Sequence, residues 1–160
     1  MKKRLLSTLM LILYSAFLIK VMVFKDLPTI KVGHLMFTFG GTQTGEANFV
    51  PFRTICPYLR GDKGWLIAGL NLVGNIALLV PIGFFFAFVF RNMTWKKSLV
   101  LAVAAGLAIE GMQVLFRVGI FDVDDVILNG LGVILGYWAF TMLAKRLRER
   151  DAKNNINVVV

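Results

Sequence analysis

One cysteine, one histidine and nine acidic residues are all that this chain of 160 residues carries of the side chains that usually do chemistry. With Cys56 alone, no intrachain disulfide forms and no sulfur-based metal site can be assembled. With His34 alone, zinc sites of His and Cys composition and phosphatases needing two histidines are excluded. His34 reads as an interfacial side chain rather than a ligand. No internal repeat and no low-complexity tract is visible. Acidic residues are scarce beside eighteen lysines and arginines, which leaves a net charge of +9 and a pI of about 10.1.

What the chain has in excess is apolar surface. Mean hydropathy is +0.74 and 58% of residues are hydrophobic, too apolar for a water-soluble domain of this size. The basic residues fall in short runs beside apolar segments, where they set orientation and meet anionic lipid headgroups, so nucleic acid is not an expected partner and membrane lipids are.

A bilayer core takes roughly 20 apolar residues per helix, and four stretches qualify: about 5–24, 65–90, 98–116 and 126–144. A signal peptide competes for the first, but no small-x-small cleavage site follows it, and an uncleaved helix is expected. Pro81 is expected to kink the second. The expected fold is therefore an all-α integral membrane protein, a single domain over residues 1–160 built as a bundle of four transmembrane helices with a long loop after the first. Lys2, Lys3 and Arg4, then Arg91, Lys96 and Lys97, then Lys145, Arg146, Arg148, Arg150 and Lys153 lie on one side of that topology. Lys25, Lys31, Arg53, Arg60, Lys63 and Arg117 lie on the other. The rule that cytoplasmic flanks are basic then places both termini in the cytoplasm and the long loop outside. Within that loop, HLMFTFGG and NFVPFRTI are too short to span, and suit the interface or a lid over the helices. The tail from Asn154 reads as frayed.

Helical spacing gathers the polar residues. Asn71 and Asn75 are four apart on the second helix. Gly106, Glu110, Gln113 and Arg117 form one stripe on the third, and Asp125, Asn129, Gly132 and Gly136 one on the fourth. A carboxylate such as Glu110 is costly inside a membrane unless paired, protonated or facing a hydrated cavity; Arg117 and Arg53 are candidate partners. Helix-to-helix hydrogen bonding alone would account for Asn75, Gln113 and Asn129. The run FDVDD, residues 121–125, exceeds what a helix cap needs: Asp124 is the expected cap, leaving Asp122 and Asp125 to face a pocket. The candidate binding pocket comprises Asn48, Arg53, Asn71, Asn75, Glu110, Gln113, Arg117, Asp122, Asp125 and Asn129. No catalytic residue can be assigned and no cofactor is expected, although a divalent cation at Glu110, Asp122 and Asp125 is a conceivable addition. Gly132-x-x-x-Gly136 suits close helix packing within the chain, with oligomerisation the alternative.

NFVPF (48–52), NLVGNIALLVPIGF (71–84), IEGMQ (109–113) and RVGIFDVDDVILNGLGVILGY (117–137) resemble, in order and spacing, the successive motifs of VanZ-like membrane proteins. The motif-bearing part is 48–144. The positions carried over are Asn48, Pro51, Phe52, Asn71, Asn75, Pro81, Gly83, Glu110, Gln113, Arg117, Asp122, Asp124, Asp125, Asn129 and Gly136. The resemblance implies a role in the bacterial cell envelope, in resistance to the glycopeptide teicoplanin, and brings no catalytic assignment. Three functions follow as expectations. The first is a non-enzymatic protein of the cytoplasmic membrane that limits access of a lipoglycopeptide, its pocket binding a lipid or cell-wall-precursor headgroup. The second is a membrane enzyme acting on a lipid-linked headgroup through carboxylates. The third is a proton or cation transporter, poorly served by four helices without a repeat.

Overall fold

The computed structural model describes residues 2–23, 30–32, 35–37, 45–62, 64–90 and 92–159. His34, Lys25, Lys63 and Arg91, and all of HLMFTFGG except the backbone of 35–37, lie outside the described residues.

Among the described residues five α-helices carry the fold: α1 (Lys2–Leu18), α2 (Ile55–Arg60), α3 (Trp65–Val89), α4 (Trp95–Leu115) and α5 (Val123–Val159). The first continues through a wider, π-wound turn at Ile19–Val23. A three-residue antiparallel pair, β1 (Ile30–Val32) and β2 (Leu35–Phe37), departs from the all-helical pattern, with Ile30 opposite Phe37. Four helical segments are long and apolar enough to cross a membrane: Leu5–Val23, Trp65–Val89, Trp95–Leu115 and Val123–Asn154. The expected spans reappear with one difference, in that α5 runs far beyond Ala144. Nothing in KRLRERDAK breaks a helix, and Lys145 pairs with Glu149 one turn on at 3.9 Å. The frayed tail expected from Asn154 is instead helical backbone to Val159. Pro81 lies within α3, which continues unbroken around it.

The helices alternate in direction, so α3 and α5 run parallel while α1 and α4 run the other way. α5 lies between α3 and α4, which hardly touch, and α1 packs on α3. Glycine decides the closeness of the α3 and α5 crossing. A methyl group on Gly132 or Gly136 would fall onto the carbonyl oxygens of Ile76 and Val80, and one on Gly83 onto that of Val133. Without side chains there, the two backbones meet directly, a packing that lipid-embedded helices use because burial from water cannot drive their association. Leu79, Val133 and Val23 fill the centre at 1%, 0% and 0% exposure. The outward faces of the spans carry Leu6, Ile12, Leu13, Val73, Val100 and Leu107.

At one end of the bundle lie the starts of α3 and α5, the end of α4 and the last turn of the first span. There the chain from Gly45 returns to the helices and turns into α2, a short helix not expected from the sequence. Pro57 occupies its first turn, where no N–H is needed, and Gly61 ends it at φ 81° in the left-handed region.

Candidate binding cleft

Three carboxylates hold this end together, and two of them grip the returning loop. Asp124, fully buried, accepts the backbone N–H groups of Phe52 (2.5 Å), Thr54 (2.6 Å) and Ile55 (3.1 Å). Asp122 accepts from Asn48 Nδ2 at 2.8 Å and from the Thr54 hydroxyl at 2.7 Å. Glu110, 1% exposed, accepts the backbone N–H of Asp122 at 2.9 Å. The loop also joins the head of α5 as a strand-like pair: Asn48 N–H donates to Phe121 O at 2.8 Å and Val123 N–H donates to Asn48 O at 3.0 Å. The Asn48 side chain turns its own loop by accepting Val50 N–H at 3.1 Å.

The capping role belongs to a different aspartate from the one expected. Asp122 stands just before α5 and its Oδ1 accepts the N–H of Asp124 at 2.9 Å, which is N-cap geometry. Asp124, already inside the first turn, is free to reach across to the start of α2. A loop folding back over seventy residues supplies those donors, and spacing within FDVDD could not reveal them.

The other candidates divide. Asn75 Nδ2 donates to Asp125 Oδ1 at 2.8 Å, bridging α3 and α5 as their shared depth implied. Gln113 is buried and donates to Met22 O at 3.0 Å, tying the end of the first span to α4. Asn129 is wholly buried, and neither of its amide atoms has a hydrogen-bond partner. Of the ten expected pocket members only Asn48, Arg53 and Asp122 line the cleft at this end of the bundle, and Asn71 and Arg117 stand outside the buried polar groups altogether. Asn71 is exposed and donates to Ile67 O of its own helix at 2.9 Å. Arg117 is exposed because α4 stops at Leu115, two residues before the stripe would reach it. Its φ of 56° is left-handed, and the Arg117 and Val118 N–H groups return to Val114 O and Gln113 O at 3.1 and 2.9 Å. That is a Schellman turn, which throws Arg117 off the helical register.

Beside the latch opens a cleft of about 250 Å³, lined by Glu46, Asn48, Arg53, Thr54, Asp122, Pro57 and Ile120. Its floor is the buried Asn48 and Asp122, and its charged walls are the exposed Glu46 and Arg53. Sequence reasoning found Asn48, Arg53 and Asp122 and missed Glu46, Thr54, Pro57 and Ile120. Thr54 carried a faint signal as a hydroxyl residue directly before a helix. Burial pushes the Tyr58 phenol above its ordinary value, and the negative charges of Asp125 and then Asp122 push it the same way. No group of three or more His, Cys, Asp or Glu side chains among the described residues is gathered as metal ligands would be.

Four apolar spans, with a carboxylate latch folding a loop over one end, define a multi-pass membrane protein of the small helix-bundle class. Residues 11–144 match the model of the VanZ/LLP1 family, and the chain belongs to that family. It is also similar to Protein VanZ of Enterococcus faecium, with 22% identity over 80 residues. That match covers 50% of this chain and 50% of the relative, so the chain spans about half the length of the curated protein it matches. No solved structure matches the chain.

Proposed function

We propose that this protein acts in the bacterial cytoplasmic membrane, with both termini inside, and protects the cell from teicoplanin-type lipoglycopeptides by limiting their access at the outer surface. In this reading the cleft faces outward and binds a lipid or cell-wall-precursor headgroup. The observation that carries it is the cleft: a recess with an arginine and a glutamate on its walls and a floor of buried, hydrogen-bonded Asn48 and Asp122, at one end of an otherwise lipid-facing bundle. The resemblance to VanZ-like proteins supplies the antibiotic.

An enzyme acting on a lipid-linked headgroup draws less support. Asp122 and Asp124 direct both oxygens to the protein's own N–H and O–H groups, which favours a holding role over proton transfer.

The test is susceptibility of a sensitive Gram-positive host carrying the wild-type chain, Arg53→Ala or empty vector, against teicoplanin and vancomycin, with membrane levels matched. Teicoplanin-selective protection that disappears with Arg53→Ala is the expected result; no protection from well-expressed wild type would refute the resistance role. Orientation is read separately. In a Cys56→Ser background, a cysteine at exposed Ala47 should react in intact cells with a membrane-impermeant maleimide.

A further inference from the structure

The cleft and the apolar tip beside it make a combined surface whose chemistry narrows the ligand. The tip is Phe49, Val50 and Phe52, exposed by 71%, 57% and 56%. It is rigidly presented. The Phe49 ring stacks on Phe121 with centroids 5.2 Å apart, and Phe52 is held at φ 67° by its N–H bond to Asp124. Three large apolar side chains within four residues, held outward, are poorly suited to water. They lie at the bundle end where exposed Trp65, Leu66, Leu115 and Phe116 begin or finish the spans, so the tip extends the lipid-facing surface. The directly adjoining cleft is mixed, with Pro57 and Ile120 among its walls, and it carries charges of both signs in Arg53 and Glu46.

We infer that the cleft holds the headgroup of a phospholipid bearing a phosphate next to a primary ammonium, the phosphoethanolamine class, while the tip sits among the acyl chains of the same leaflet. This rests on reading the cleft as the functional pocket and gives that pocket a ligand. Arg53 offers forked donors to the phosphate. Glu46, with Asp122 behind it, faces the ammonium. A purely anionic head would satisfy Arg53 and meet the carboxylates unfavourably; a purely cationic one would do the reverse. A choline head has no N–H to donate and is recognised by aromatic faces, and none of the described residues lining this cleft is aromatic. The volume of about 250 Å³ lies just under the roughly 300–1,000 Å³ usual for small-ligand pockets, which suits a headgroup and excludes a whole glycopeptide. Because Asn48 and Asp122 are already fixed in the latch, the floor is ordered before the lipid arrives.

The experiment measures binding of short-chain phosphatidylethanolamine, phosphatidylcholine and phosphatidylglycerol to the full chain in detergent by native mass spectrometry, with soluble phosphoethanolamine and inorganic phosphate as competitors. Phosphatidylethanolamine should bind about tenfold more tightly than the other two, and Arg53→Gln should weaken it by about the same factor. Glu46→Gln should erase the preference over phosphatidylglycerol. Phe49→Ser should weaken the lipid and leave soluble phosphoethanolamine unaffected. Equal binding of the three lipids, competition by phosphate as strong as by phosphoethanolamine, or indifference to both cleft substitutions would overturn the inference. Both substituted residues are exposed, and an unchanged unfolding midpoint confirms that the variants fold. The same variants in the susceptibility assay separate the two readings. Protection lost with Arg53→Gln without lipid selectivity sinks the lipid and keeps the cleft; lipid selectivity without antibiotic protection keeps the lipid in the cleft and sinks the resistance role.

Discussion

Asn48 Nδ2 lies 2.8 Å from Asp122 Oδ1, a buried hydrogen bond between residues 74 apart in sequence. It closes the loop against the head of α5, and Thr54 completes a triangle by donating to the other oxygen of the same aspartate. The loop that forms the cleft is therefore as well anchored as the helices beneath it.

Asp124 is the strongest point of that anchorage, since three backbone donors converge on it where it is fully buried. Asp124→Asn removes the charge and turns an amide toward donors, and should lower stability by about 2–4 kcal/mol. Thermal unfolding in detergent reads this directly. A midpoint equal to wild type would mean that the latch contributes little to holding the loop.

The α3 and α5 crossing predicts a steric failure. Gly136→Val would drive a branched side chain into the backbone of Val80 and Phe84, and overpacking of this kind costs about 1–3 kcal/mol. Gly74→Ala, inside α3 at a position where an added methyl meets nothing within 4 Å, is the control and should hold or slightly raise the midpoint.

Asn129 should behave in the opposite sense. Its buried amide has no hydrogen-bond partner, so Asn129→Leu, of similar size, should raise stability by about 1–2 kcal/mol. If antibiotic protection falls while the midpoint rises, the amide is retained for function; if both hold, it is dispensable.

Arg117 marks a helix end. Because it occupies the left-handed position of a Schellman turn and is exposed, Arg117→Gly should leave protection intact and stabilise the fold by up to about 1 kcal/mol. A loss of protection would restore Arg117 to the binding residues.

Tyr58 gives a pH signature. Folding favours its neutral phenol, through burial and then the charges of Asp125 and Asp122. Its contribution to stability is thus fully present below the ordinary tyrosine range near 10 and is lost as pH rises through the elevated folded value. Ultraviolet titration at alkaline pH should show late-ionising tyrosine absorbance whose amplitude falls in Tyr58→Phe.

Most of the bundle was legible because membrane spans are written in composition: twenty apolar residues admit few alternatives, and α3, α4 and the start of α5 fall within a few residues of expectation. Helical spacing also placed Asn75 and Asp125 at one depth, and they are hydrogen-bonded. It failed where a helix stopped or a loop returned. Arg117 lay beyond the true end of α4, and Asn71 projects outward to its own backbone. Asp124 bonds to α2, an element whose position depends on the whole path from Gly45. Periodicity describes one helix at a time, whereas a latch is made by the meeting of two distant segments.

At about 1.5 Å per residue, the 37 residues of α5 extend roughly 55 Å, well beyond a hydrocarbon core of about 30 Å. Its first residues grip the cleft loop; its later turns carry Lys145, Arg146, Arg148 and Arg150 clear of the greasy region. One unbroken rod therefore joins both faces of the membrane. A change of tilt at the end of this rod that grips the loop would reappear as a displacement of the basic stalk at the other end, so that one helix is a lever arm between the two.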